Sequence, residues 1–157
     1  MDKGQIVSTL KMKIMKNILV PIDFDQNENE LLEHARQYAK AFKAKLWLLH
    51  VAAPEPEFIG FGVGPQYIRD TRAQELRKEH RLMTDFTNIV KEEGVDCEGL
   101  LINGATIEMI LEEAEKLKID LIITGHHTHN FFYKTFFGSV SSGVIKKTDI
   151  PVLVVPL

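Results

Sequence analysis

Asn17 to Phe24, NILVPIDF, decides how the rest of the chain is read. Its first six residues are a short apolar run of the kind that helices cover on both faces of a parallel sheet, where alternation with polar residues is not needed. The run ends at Asp23-Phe24-Asp25, and Asn27 has a side chain suited to capping a helix. Leu31, Leu32, Ala35, Tyr38, Ala39 and Phe42 then recur at spacings of one, three and four, which makes one helix face apolar. Lys45 to Val51, KLWLLHV, reads as a second strand. Strand, helix, strand in direct succession is the unit from which parallel sheets are built.

The same alternation continues outward. Residues 52 to 65 hold Pro54, Pro56 and Pro65 with Gly60, Gly62 and Gly64, a density of breakers that forbids a regular element. Its Phe58, Ile59 and Phe61 favour a lid or a contact surface. A long helix from Gln66 to Glu93 carries Leu76, Met83, Phe86, Ile89 and Val90 as its stripe, and Gly94 stands where a left-handed residue would end it. Val95 to Ile102 is the third strand, and Asn103-Gly104 turns into a helix holding Ile107, Ile110, Leu111, Ala114 and Leu117. Asp120 to Thr124 is the fourth strand, with Gly125 opening the next loop. Ser139 to Lys147 is a short helix, and Pro151 leads into the fifth strand, Val152 to Val155. The expectation is one α/β domain over residues 16–157, a sheet with helices on both faces joined by right-handed crossovers. Residues 1–15 read as an N-terminal extension.

Composition narrows the function classes. Lys and Arg number 19 against 22 Asp and Glu, a net charge of −3, so the basic face of a generic nucleic-acid binder is not expected. No apolar run approaches the roughly 18 residues of a membrane span. Cys97 is the single cysteine, unable to form an internal disulfide or to build a cysteine metal site, and a reducing cytoplasm suits it. His126, His127 and His129 lie close together, but zinc ligands usually come from separate fixed elements and no cysteine or carboxylate beside them completes a set; no metal is expected. A Walker-type loop, a G-x-G-x-x-G after the first strand and a G-x-S-x-G elbow are all missing, and Ser139 has no assignable His and Asp partners. No catalytic residue is assigned.

Ligands of open parallel sheets sit beyond the carboxyl ends of the strands. Those ends carry Pro21, Ile22 and Asp23, then Val51, then Gly125, with Gly138-Ser139 opening the last helix. Asp23 has two readings: a turn-forming residue after its strand, or an acceptor for base amines and sugar hydroxyls. Gly138-Ser139 has two as well: a cap with a tight turn, or a phosphate site made of free N–H groups, a hydroxyl and the helix dipole.

Taken together, NILVPIDF, KLWLLHV, DLIITGHH and GSVSSGVIKKTDIPVLVVP resemble the universal stress protein family, in order and spacing, from Lys16 to Leu157. The resemblance implies a Rossmann-like, adenine-nucleotide alpha-hydrolase-like fold: one five-stranded, mainly parallel sheet in the order 3-2-1-4-5. The nucleotide-binding branch of the family carries a loop G-x-x-G-x(9)-G-[ST], which falls here on Gly125, Thr128 and Gly138-Ser139, with threonine in place of the second glycine. By that resemblance Pro21, Ile22, Asp23 and Val51 would surround the base and sugar. Gly125, His127, Thr128, Gly138, Ser139, Val140 and Ser141 would follow the ribose and phosphates. The implied function is a cytoplasmic stress-response protein that binds ATP or AMP, with or without Mg2+, as a regulatory ligand, any ATP hydrolysis being slow. The alternative is a homodimeric interaction module without nucleotide, which Thr128 and the aromatic run Phe131, Phe132, Phe136, Phe137 favour. The resemblance also implies a homodimer through Val152 to Val155, partners among other proteins still to be identified, and no nucleic acid or membrane.

Overall fold

The computed structural model describes residues 14–24, 28–52, 66–126 and 139–157, with Ser139 described by its backbone alone. Five strands and four helices alternate: β1 (Asn17–Pro21), α1 (Glu28–Phe42), β2 (Lys45–Ala52), α2 (Gln66–Glu92), β3 (Cys97–Asn103), α3 (Thr106–Lys116), β4 (Leu121–His126), α4 (Ser139–Lys147) and β5 (Val152–Pro156). The strands form one sheet in the order β3-β2-β1-β4-β5, and every pairing is parallel. The expected architecture is therefore observed. Among the described residues no helix is long and apolar enough to cross a membrane.

Successive side chains of a strand point to opposite faces, and this divides the core in two. Ile18, Val20, Leu46, Leu48, Cys97 and Ile123 face α1 and α2, meeting Leu31, Leu32, Ala35, Met83 and Val90. Leu19, Leu49 and Ile122 face α3 and α4, meeting Ile110, Ala114 and Val144. Both faces of β1 are sealed, which is why NILVP carries no polar residue inside it.

Most element ends differ from the sequence reading by one or two residues, and two of these differences have a clear local cause. β3 starts at Cys97 instead of Val95, because Val95 N–H is still engaged by the carbonyl of Val90 at the end of α2. The turn there uses Gly94 at φ +82°, a left-handed position that glycine occupies without a Cβ penalty. β4 runs through Gly125 to His126, where Val155 and Pro156 pair with it and Leu157 N–H donates to the His126 carbonyl at 2.8 Å. Gly125 is thus a strand residue, and a Cβ on it would strike the side chain of Leu157. The proposed lid, all but Ala52 of residues 52 to 65, lies outside the described residues, as do residues 1–13 of the expected extension. Met15 packs against the core and Ile14 is exposed.

A cleft at the strand-order switch

The chain leaves β1 toward β2 on one side and returns to β4 on the other, so the carboxyl ends of β1 and β4 diverge. A cleft of about 120 Å³ opens there. Pro21, Ile22 and Asp23 enter it from β1, Val51 from β2, Thr124 and Gly125 from β4, and Val140 and Ser141 from the first turn of α4. Seven of the sequence-predicted residues are therefore brought together in the lining: Pro21, Ile22, Asp23, Val51, Gly125, Val140 and Ser141. Of the other four, His127, Thr128 and Gly138 lie outside the described residues, and Ser139 is the first residue of α4.

Asp23 is exposed, and its backbone is held from an unexpected quarter. Its N–H donates to Oε1 of Glu28 at 2.6 Å, and Glu28, only 4% exposed, also lines the cleft. A charged acceptor makes this among the stronger kinds of hydrogen bond. The next residue, Phe24, has φ +62°, a left-handed conformation that is uncommon and costly for a bulky side chain. Its ring is anchored by His50, with centroids 4.5 Å apart, and lies 6.0 Å from Phe86 of α2. His50 Nδ1 lies 2.7 Å from the carbonyl of Ile22, so this nitrogen carries the donated proton. Three residues on three elements, Glu28, His50 and Phe86, thus fix the turn that presents the Asp23 carboxylate, which has no hydrogen bond or ion pair among the described residues.

Ser141 does something different from what its sequence position suggested. It is 1% exposed, its hydroxyl donates to the Gly125 carbonyl at 2.9 Å, and it sits 3.0 Å from the hydroxyl of Thr124. Its one proton is committed, so Thr124 Oγ1 is the donor in the second contact. The serine fastens α4 to β4. What the first turn of α4 still offers is its backbone: the leading N–H groups of a helix have no intrahelical acceptor and carry the positive end of the dipole.

Sequence reasoning missed Glu28, Leu31, Leu49, Thr106, Ile110, Thr124 and Leu157 in the lining. Thr106 opens α3 opposite α4, and Leu157 arrives from the chain end through its bond to His126. Strand-end position could have pointed to Thr124; Leu157 carries no local signal. Cys97, by contrast, is 2% exposed, and burial pushes its thiol up to about 12, so it is an inert core residue.

Residues 15–156 match the sequence model of the universal stress protein family. A universal stress protein of Methanocaldococcus jannaschii is 31% identical over 144 residues, covering 90% of this chain and 82% of the relative. The solved structure of a second universal stress protein of that organism has a TM-score of 0.76 at 26% identity, covering 92% of this chain and 98% of the other. A universal stress protein from Archaeoglobus fulgidus, solved in complex with dAMP, shares the fold with a TM-score of 0.63 at 19% identity, covering 90% and 98%. With the match spanning both core layers and all of the cleft lining but Leu157, the chain belongs to the universal stress protein family.

Proposed function

We propose that the cleft binds an adenine nucleotide, ATP or AMP with or without Mg2+, as the regulatory ligand of a stress-response protein working in the cytoplasm. The observation that carries this reading is the convergence of the Asp23 carboxylate, unpaired among the described residues, of Val51 near the end of β2 and of the first turn of α4 on one cleft at the strand-order switch. The donor set suits the ligand. A carboxylate accepts from ribose hydroxyls or a base amine, and the leading N–H groups of a helix suit a phosphate. Ser141 would contribute its backbone N–H and not its hydroxyl, which is already committed to Gly125. Val140, Ile22, Pro21 and Leu31 supply apolar wall, and Gly125, His127, Thr128, Gly138 and Ser139 complete the proposed contact set. The binding of dAMP by the Archaeoglobus fulgidus protein supports the choice of adenine nucleotide. The nucleotide state would then govern contacts with other proteins, with hydrolysis slow at most.

A second reading is a homodimer that takes no nucleotide. Two observations favour it: the inward turn of the Ser141 hydroxyl, and a cleft of about 120 Å³ where small-molecule sites commonly offer roughly 300–1,000 Å³. Its interface would be β5, an outer strand whose Val152, Leu153 and Val154 are half-buried and whose outer edge has no strand beside it among the described residues. Calorimetric titration of MgATP and of AMP separates the two. A one-per-chain signal in the micromolar range that Asp23→Ala weakens about tenfold supports the nucleotide site, and silence up to millimolar ATP ends it. Light scattering at micromolar protein tests the dimer, which a monomeric mass would overturn.

A further inference from the structure

The opposite edge of the sheet carries a second groove, and the structure gives it both a shape and a sign. β3 is the outer strand there. The bonds that flank its pairing, Leu46 N–H to the Asp96 carbonyl and Gly104 N–H to the Ala52 carbonyl, fix the alternation of the parallel ladder. Even-numbered residues turn their backbone groups toward β2, and Cys97, Gly99, Leu101 and Asn103 turn theirs outward. Among the described residues no strand pairs with them.

Along this edge runs α2, which comes close because position 99 is glycine: a Cβ there would stand 2.6 Å from Met83 Cγ and 2.7 Å from Thr87 Oγ1. Beside the crossing, Leu76, Arg77, His80 and Arg81 of α2 form an open groove with Leu101 and Asn103 of β3, about 640 Å³ in volume. It continues past His80 and Leu101 to Lys91 and Glu98. Arg77, His80 and Arg81 are exposed, and neither guanidinium has a hydrogen bond or ion pair among the described residues. Glu98, the carboxylate in this lining, is already held by Lys45 at 2.8 Å. Among the described residues, a chain with a net charge of −3 therefore places two unpaired guanidiniums beside a strand edge that no strand covers.

We infer that this edge receives an acidic, extended segment of a partner protein, which adds a strand to β3 and sets its carboxylates against Arg77, His80 and Arg81. Strand addition supplies affinity through main-chain bonds and specificity through every second side chain. Side chains of an added strand alternate between the two faces, so every second one rises on the α2 side, next to the arginines. A small anion would use the guanidiniums and leave the outward groups of Gly99, Leu101 and Asn103 unanswered. A second copy of this chain would bring the same arginines toward one another, which like charge disfavours.

The test uses the full chain and an acetylated peptide of alternating threonine and glutamate long enough to span β3, followed by anisotropy and by backbone amide resonances. The glutamate peptide is expected to bind and to shift the amides of Gly99, Leu101 and Asn103, while its lysine counterpart does not. Replacing Arg77→Glu and Arg81→Glu together, both at exposed positions, is expected to weaken the glutamate peptide about tenfold or more and to favour the lysine peptide. Methylating alternate peptide nitrogens keeps the charge and removes the strand donors, and it is expected to abolish binding in the phase that faces β3. Undiminished binding of both methylated phases would reduce the groove to a charged patch and overturn strand addition. Equal binding of the lysine peptide would overturn the acidic specificity. Binding of polyuridylate or polyphosphate through the same arginines without the glutamate peptide would assign the groove to polyanions instead, and silence of the glutamate peptide at millimolar concentration would end the proposal.

Discussion

Each end of the sheet presents an aspartate, and the two are used in opposite ways. At the amino end, Oδ2 of Asp120 accepts the N–H of Lys16 at 2.8 Å and of Asn17 at 3.1 Å, tying the approach to β4 onto the start of β1. Around it Trp47 Nε1 donates to Asn17 and Lys45 pairs with Glu98 while lying over the Trp47 ring. At the carboxyl end, Asp23 is held by its backbone, and its carboxylate stands open at the cleft. One end spends its polar side chains on joining strands; the other spends backbone strain and a buried glutamate on presenting one. Residue type is the same, so the difference lies in what each carboxylate already accepts.

The sharpest way to break this comparison is to exchange the losses. Asp120→Ala removes two bonds to a charged acceptor and is expected to cost about 2 kcal/mol of stability in denaturant titration, with nucleotide affinity unchanged in the folded fraction. Asp23→Ala is expected to leave stability within about 0.5 kcal/mol while lowering nucleotide affinity about tenfold. If both variants lost stability alike, Asp23 would be a structural residue and the contrast would fail. Glu28→Ala should combine the two signatures, since it releases the Asp23 backbone and opens space in the core. Glu28→Gln, which keeps an acceptor for that N–H, should recover most of the stability.

Next in size comes the wall of the cleft. Ser141→Ala leaves the Gly125 carbonyl without its donor and frees Thr124 from its acceptor. The expected loss is about 1–2 kcal/mol, with only a small change in nucleotide affinity because the backbone N–H remains. A large affinity loss with intact stability would restore the hydroxyl as a phosphate contact.

How much of this could be read from residues alone follows from range. The apolar strands and striped helices are local patterns, and they emerged with errors of one or two residues at element ends, as where Leu157 adds a bond to His126. Pro21, Ile22, Asp23 and Val51 were legible because position at a strand end is a local property with a topological meaning. The strand order came by resemblance to a family and not from periodicity. Glu28 looked like any acid in the first turn of a helix, and only the left-handed turn at Phe24 makes it the partner of Asp23. Ser141 read as a first-turn hydroxyl, yet contact with β4 turns it inward. The basic groove was invisible for the same reason: Arg77 and Arg81 mean little until β3 is known to be the outer strand beside them.

The smallest effect concerns the pair of helices that flank the cleft. Glu108 of α3 accepts from Lys147 of α4 at 3.0 Å, and Gly143 of α4 lets Ile107 pack where a Cβ would otherwise stand. The lysine hydrogen bond holds the Glu108 carboxyl below its usual value of 4.5. A carboxyl lowered in the folded state contributes stability that is fully present above its unfolded value and is lost as pH falls through the lowered one. Glu108→Gln should therefore be slightly less stable than the parent at neutral pH, and the gap should close as the pH falls below 4.5. Added salt should narrow the gap at neutral pH, because both side chains are exposed and screened. A gap that persisted in acid would mean that Glu108 acts through helix propensity or packing, and the two helices would then be joined by the Gly143–Ile107 contact instead of by charge.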